Sequence, residues 1–261
     1  MKQQTFGRSR PSIAHELHYR RSLDQLIAAM QKDVDSKVRS YYRSELAADA
    51  ASARWVQIMK ALRLKWYREF ERNGKELATW FADKTKNRTA SQISRKLKDF
   101  GFTVRPEYGS TEQELIKQIV AENVGMIKSI PQQYLRDVQK VTASSFSRGQ
   151  DMAALTKHLD TVLTRLGDNT KNRAALIARD QTNKATQQLA VAGAKSVGAT
   201  KGRWIHIPGK YSSRRTHIAM NNKVFDLSEG LYDSEAHRNV KPGELIYCNC
   251  QFAVLMPGFD D

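Results

Sequence analysis

From Ile13 onward, apolar residues fall at Leu17, Leu23, Ile27, Met30, Val34, Val38 and Tyr41, mostly three or four apart, with no break before about Ala47. That spacing marks one face of a long amphipathic helix. Trp55, Met59, Leu62, Trp66 and Phe70 repeat it, and Leu77, Trp80 and Phe81 resume it after Gly74. The two stretches are expected to pair as an antiparallel helical hairpin. Ile93, Leu97 and Phe100 predict a shorter helix that stops at GFTVRPEYGS, where glycine and proline punctuate the chain and place a division near Gly109.

Helix formation is expected to restart with Thr111 and Glu114 in capping-box spacing, and to continue through Leu115, Ile119, Val120, Val124 and Ile127. Pro131 reads as the first residue of the next helix, where its missing N–H costs nothing, with Tyr134, Leu135, Val138, Val141 and Phe146 inward until Gly149. Asp151 then reads as the N-cap of a helix through Leu155, Leu159 and Val162, closed by Gly167. A further helix from about Thr170 to Lys195 turns Ala174, Ile177, Ala178, Ala185, Leu189 and Ala192 inward, small residues that permit close packing.

After Gly198 the period shortens from helical to alternating. RWIHIP predicts a strand, IAMNNKVFDL a hairpin around Asn221 and Asn222, and the segment after Pro242 and Gly243 a last strand. The fold class is α+β and predominantly α-helical, with long N-terminal helices, a helical middle and a small antiparallel β-sheet at the C-terminus. Residues 1–108 form a helical region expected to dock a partner, and 109–261 a second domain, with helices over 109–197 and the sheet over 198–261.

Charge narrows the partners. The chain has 261 residues, with 43 Lys plus Arg against 27 Asp plus Glu, a formal charge of +16, so an acidic partner is expected: nucleic acid, an acidic protein or an anionic membrane. The start, MKQQTFGRSRPSIAHEL, lacks the apolar run of a secretory signal, and no stretch approaches the roughly 20 apolar residues of a membrane span. A cytosolic origin with reduced thiols follows as an expectation.

The two cysteines, Cys248 and Cys250, lie in ELIYCNCQFAVLMP. If the segment is extended, Ile246, Cys248, Cys250, Phe252, Val254 and Met256 share one apolar face. Extended neighbours two apart lie nearly 7 Å from Cα to Cα, too far for a disulfide, and zinc pairs are usually spaced C-x₂₋₄-C on a turn. Two more ligands would have to come from His206, His217 or His237. Buried apolar thiols are therefore expected, with no metal, no cofactor and no catalytic nucleophile, since no motif brings a base and an orienting carboxylate.

His217 follows Arg214 and Arg215, with Asp226 and Asp233 nearby, so a nuclease or transferase centred on His217 can be drawn. No diagnostic spacing supports it, and phosphate-binding glycine loops are missing from the sequence, so no enzyme is expected. Residues 54–98 hold thirteen basic residues against four acidic ones. Lys60, Arg63, Lys65, Arg68 and Arg72 are the candidates for contact with DNA or an acidic partner. A free-standing DNA-binding protein is the further alternative. Trp55 and Trp66 share helical spacing with Met59, Leu62 and Phe70, which assigns them to a core or interface rather than to base stacking.

Several segments in order resemble the phage Mu F-like family of minor head proteins, the head morphogenesis proteins of the SPP1 type: AENVGMIKSIPQQYLRDVQKV, SRGQDMAALTKHL, RAALIARDQTNKATQQLA, RRTHIAMNNKVFDL and PGELIYCNCQFAVLMP. The resemblance covers about 150 C-terminal residues. On the family pattern Ala178, Arg179, Asp180, Gln181 and Thr182 take the helix motif, Arg215 and His217 precede the hairpin, Pro242 follows, and Cys248 and Cys250 form the C-x-C pair, with Tyr247 and Asn249 where the family often has Asn and Arg. The resemblance implies a structural role for these residues in a virion component made in few copies inside the capsid. It implies association with the portal protein and with other capsid or scaffold proteins, contact with packaged double-stranded DNA, an influence on head morphogenesis and genome delivery, and no membrane partner.

Overall fold

The computed structural model describes residues 8–44, 51–146, 152–209 and 212–255. Four long helices, α1 (Ile13–Ser44), α2 (Ala51–Asp99), α3 (Ser110–Phe146) and α4 (Met152–Ser196), precede β1 (Lys201–Ile205), α5 (Arg215–Ala219), β2 (Val224–Asp226), β3 (Leu231–Asp233), β4 (Arg238–Val240) and β5 (Gln251–Leu255). The predominantly helical α+β class with a small antiparallel C-terminal sheet is as the pattern predicted. The described residues fall into two compact units, one within 1–17, 79–120 and 178–261, the other within 18–78 and 121–177.

The second unit is wholly helical. Tyr41 stacks on Trp55 with ring centroids 5.1 Å apart, and the Trp66 indole N–H donates to Asp33 at 2.9 Å. Because the later α1 residue meets the earlier α2 residue, the two helices run antiparallel, as the hairpin expectation required. Trp55 and Trp66 are buried, and the Trp55 indole N–H donates to the Thr142 hydroxyl at 2.9 Å. Their core assignment holds.

Several expected breaks vanish. Residues 93–99 continue α2, and Gly74 sits inside it, where an added Cβ would lie 3.0 Å from the Ile127 side chain. Pro131 lies inside α3 rather than at a new N-terminus. An interior proline costs about 3 kcal/mol, but Ile127, Ile130, Tyr134 and Leu135 around it are all buried, and at about 1.5–3 kcal/mol each their burial outweighs that cost. Gly167 likewise falls inside α4, facing Gln31. α3 begins at Ser110, which places Thr111 within the first turn instead of at the cap. Asp151, Ala47, Gly149 and Met256 lie outside the described residues.

In the first unit β1 is the central strand of a sheet ordered β2-β1-β5, antiparallel throughout, with Trp204 opposite Phe252; β3 and β4 form a separate two-stranded ribbon. The core under the sheet joins Ile93 and Leu97 of α2 to Ala190 and Ala194 of α4, Trp204, Phe225 and Phe252. An added Cβ on Gly193 would come within 2.8 Å of Ile93, so α2 and α4 approach closely where α4 carries only small residues. Two strand expectations are corrected. The first arm of the predicted hairpin, which was to start at Ile218, instead begins within the short helix α5, and Asn222 carries the turn at φ 66°. The last strand begins only at Gln251; residues 244–250 form a looped turn that leaves Ile246 and Tyr247 exposed.

Candidate functional site

The looped turn has little backbone pairing of its own, so its polar groups find side-chain partners, and α4 supplies them. Asp180, Asn183 and Gln187, three and four apart, form a polar stripe on an otherwise small and apolar helix face. Asp180 accepts the Tyr247 N–H at 2.5 Å, and Asn183 donates to the carbonyls of Cys248 at 2.6 Å and Cys250 at 3.5 Å. Gln187 donates to the Ser9 carbonyl at 3.1 Å. Tyr247 holds φ 59°, a conformation that costs a non-glycine residue about 1–3 kcal/mol and persists where its surroundings enforce it. Gly243, at φ 77°, leaves the space Gln187 occupies: a Cβ there would lie 2.7 Å from Gln187 Cγ. The Arg214 guanidinium donates to the Ile246 carbonyl at 3.0 Å from the other direction.

Held this way, Cys248 and Cys250 turn their sulfurs toward His217 on α5. His217 Nδ1 lies 3.3 Å from Cys248 Sγ and 3.6 Å from Cys250 Sγ, and His206 Nδ1, just past β1, lies 3.5 Å from Cys250 Sγ. The other ring nitrogen of His217 faces Asp233 at 3.1 Å, and Asp233 in turn accepts the N–H groups of Glu235 and Ala236 at 2.8 and 3.2 Å. His217, Asp233, Cys248 and Cys250 are all buried, with exposures of 2%, 0%, 4% and 1%. The edge of Trp204 closes the ring side of His217 at 5.3 Å between centroids. The Trp204 indole Nε1 is buried with no hydrogen-bond partner at ordinary geometry, and it favours the thiolate of its neighbour Cys250.

The electrostatics follow from this crowding. The neighbouring Cys250 thiol, then His217, lower the Cys248 thiol against the pull of burial. Cys250 is pushed up, first by its hydrogen bond to Cys248 and then by burial. For His217 burial disfavours the charge, yet the hydrogen bond and negative charge of Cys248, with Asp233, raise it overall. For Asp233 burial opposes ionisation, and the two backbone N–H groups overcome it and lower the carboxyl. The crowding thus favours ionisation of Cys248 over Cys250, and Cys248 and Asp233 favour the charged form of His217.

The expectation that no base or orienting carboxylate stands near a cysteine is corrected, since His217 and Asp233 stand in those places. It rested on treating residues 244–256 as one strand, whereas the sulfurs converge on a turn. The rest of the expected set is dispersed. Asp226 caps its own turn by accepting the Ser228 and Glu229 N–H groups, and His237 is exposed. Arg179 and Arg215 are exposed, whereas Gln181 and Thr182 are buried and the Thr182 hydroxyl donates to the Ala178 carbonyl. In the helical unit Arg63 donates to Gln139, Lys65 pairs with Asp33 at 2.8 Å and Arg72 with Glu69 at 2.7 Å, while Lys60 and Arg68 are exposed. Asn183, Gln187 and Asp233 as a positioning group were missed; the polar stripe on a small-residue helix face was the available signal for the first two.

No described helix is long and apolar enough to cross a membrane. No solved structure matches the chain. Over 249 residues, 92% of its length, the chain is 27% identical to an uncharacterized protein of Haemophilus influenzae, and it spans about half of that relative, 53%. Residues 136–253, which contain the polar stripe of α4, His206, His217 and both cysteines, match the family model described as Phage Mu protein F like protein. The order of motifs that pointed to this family from the sequence thus corresponds to a match in the same part of the chain, and residues 136–253 are similar to the Mu F-like family.

Proposed function

We propose that the protein is a phage minor head protein that acts by being held in position, inside the capsid near the portal, after assembly in the host cytoplasm. The observation that carries this reading is the match of residues 136–253 to the Mu F-like family. Its partners on this reading are the portal protein, other capsid or scaffold proteins and packaged double-stranded DNA, and it influences head morphogenesis and genome packaging or ejection. A surface suited to docking supports it. On α2, Val56, Lys60, Leu64, Arg68 and Arg72 recur every four residues and are all exposed, a stripe that mixes apolar with basic side chains. Leu64 and Val56, at 54% and 56% exposure, are large apolar groups left to solvent or to a partner.

Co-expression with a portal ring tests the reading. The chain is expected to co-purify with the ring, and the combined Lys60→Glu, Arg68→Glu and Arg72→Glu replacement to reduce incorporation into particles several-fold. Failure of the wild-type chain to enter particles would sink the portal assignment, and unchanged particles with unchanged DNA retention in the variant would remove the stripe from it. A hydrolase built on Cys248, His217 and Asp233 is the second reading, favoured by their alignment. Their burial stands against it, because a substrate carbonyl has to reach the sulfur.

A further inference from the structure

We propose that His206, His217, Cys248 and Cys250 bind one zinc ion, as a closed structural site that ties the turns of the C-terminal sheet together. A tetrahedral zinc with Zn–S of about 2.3 Å and Zn–N of about 2.0–2.1 Å separates a sulfur from a nitrogen ligand by about 3.6 Å. Three of the four sulfur–nitrogen distances between these residues, those of His217 to both sulfurs and of His206 to Cys250, are 3.3, 3.6 and 3.5 Å. His217, Cys248 and Cys250 bring their ligand atoms within 4.8 Å of one another, and His206 reaches the same sulfur of Cys250 from the end of β1. Two soft sulfurs and two imidazoles are a donor set that selects zinc among common divalent ions.

The surroundings fit as well as the ligands. His217 offers Nδ1 to the sulfurs while its Nε2 faces Asp233, the carboxylate–histidine arrangement that fixes the ring and its tautomer in metal sites. Asn221 holds the backbone at His206 by accepting its N–H at 2.9 Å. Burial of His217, Cys248 and Cys250 argues for a closed site, and the elements it would join are short: a five-residue strand, a five-residue helix and a looped turn. Such pieces are marginal without cross-links. On binding, two Zn–S and two Zn–N bonds form, and the protons still on the thiols and on the ligating nitrogen of a charged His217 pass to solvent, with no change in oxidation state. The C-x-C spacing spoke against metal only while the segment was taken as extended, and the turn at Tyr247 removes that objection.

The full chain, purified without chelator, is expected to carry one zinc per molecule by elemental analysis. After removal of zinc under reducing conditions, Co²⁺ added alone should give the visible absorption of a tetrahedral ion with thiolate-to-cobalt charge transfer in the near ultraviolet. Cys250→Ser should lose the charge-transfer band in proportion to the lost sulfur, and Asp233→Asn should weaken zinc binding about 10–100-fold. His206→Ala should weaken binding without abolishing it, as three ligands remain. A wild-type chain that is folded by circular dichroism yet holds neither Zn²⁺ nor Co²⁺, or that binds cobalt in an octahedral site without charge transfer, overturns the proposal. Unchanged affinity in His206→Ala removes that residue as the fourth ligand.

Discussion

Asn183→Ala isolates the link between α4 and the cysteine turn. The Asn183 side chain is 4% exposed and donates to the Cys248 carbonyl at 2.6 Å, with a longer contact to the Cys250 carbonyl at 3.5 Å. Removing a donor from a buried acceptor costs about 1–3 kcal/mol, because the carbonyl is left without water or partner. The loss falls on a loop that also holds Tyr247 in a strained conformation, so it should appear as local opening before it appears as global unfolding. Both thiols are buried, and their reaction with a disulfide reagent in the metal-free chain requires that opening. With each 1.4 kcal/mol worth a factor of ten, thiol modification should accelerate roughly 5–150-fold, with the circular dichroism spectrum unchanged. Asn183→Asp should be at least as damaging, since it sets a carboxylate against two carbonyl oxygens. A rate within twofold of wild type in both variants would refute the clamp.

Two further outcomes test the packing. Gly202→Ala places a Cβ 2.9 Å from Phe252, 3.0 Å from Leu227 and 3.1 Å from Phe225, and should destabilise the first unit by about 1–3 kcal/mol through overpacking; an unshifted urea midpoint would show that these side chains give way freely. Trp55→Phe keeps most of the apolar surface but strips the hydrogen bond to Thr142, and should cost about 1–2 kcal/mol in chemical denaturation, a loss that Trp55→Phe with Thr142→Val should partly restore.

The long helices were legible because they repeat one period for many turns, so a single misplaced residue changes little. Their ends were less so. Pro131 and Gly167 are local breakers, and each was read as a boundary, yet both lie within helices, as does Gly74. A breaker acts on one turn at a cost of about 1–3 kcal/mol, whereas the neighbouring side chains bury surface contributed by other helices, which no local window contains. In the C-terminal part the strand expected over 203–208 is present but runs over 201–205, and residues 215–219 and 244–250 are too short for a period to distinguish a turn of helix, a loop and a strand.

The linear chain by itself determined the helical first two-thirds, the basic surface, the core tryptophans and the order of motifs that points to the Mu F-like family, because each depends on residue type or on short-range period. Only the tertiary structure decided that Cys248 and Cys250 belong with His217, His206 and Asp233. Those residues are separated by intervals set by loop closure rather than by any repeating geometry, and they meet because Asp180, Asn183 and Gln187 on a distant helix force the final segment to turn where its alternation had suggested a strand.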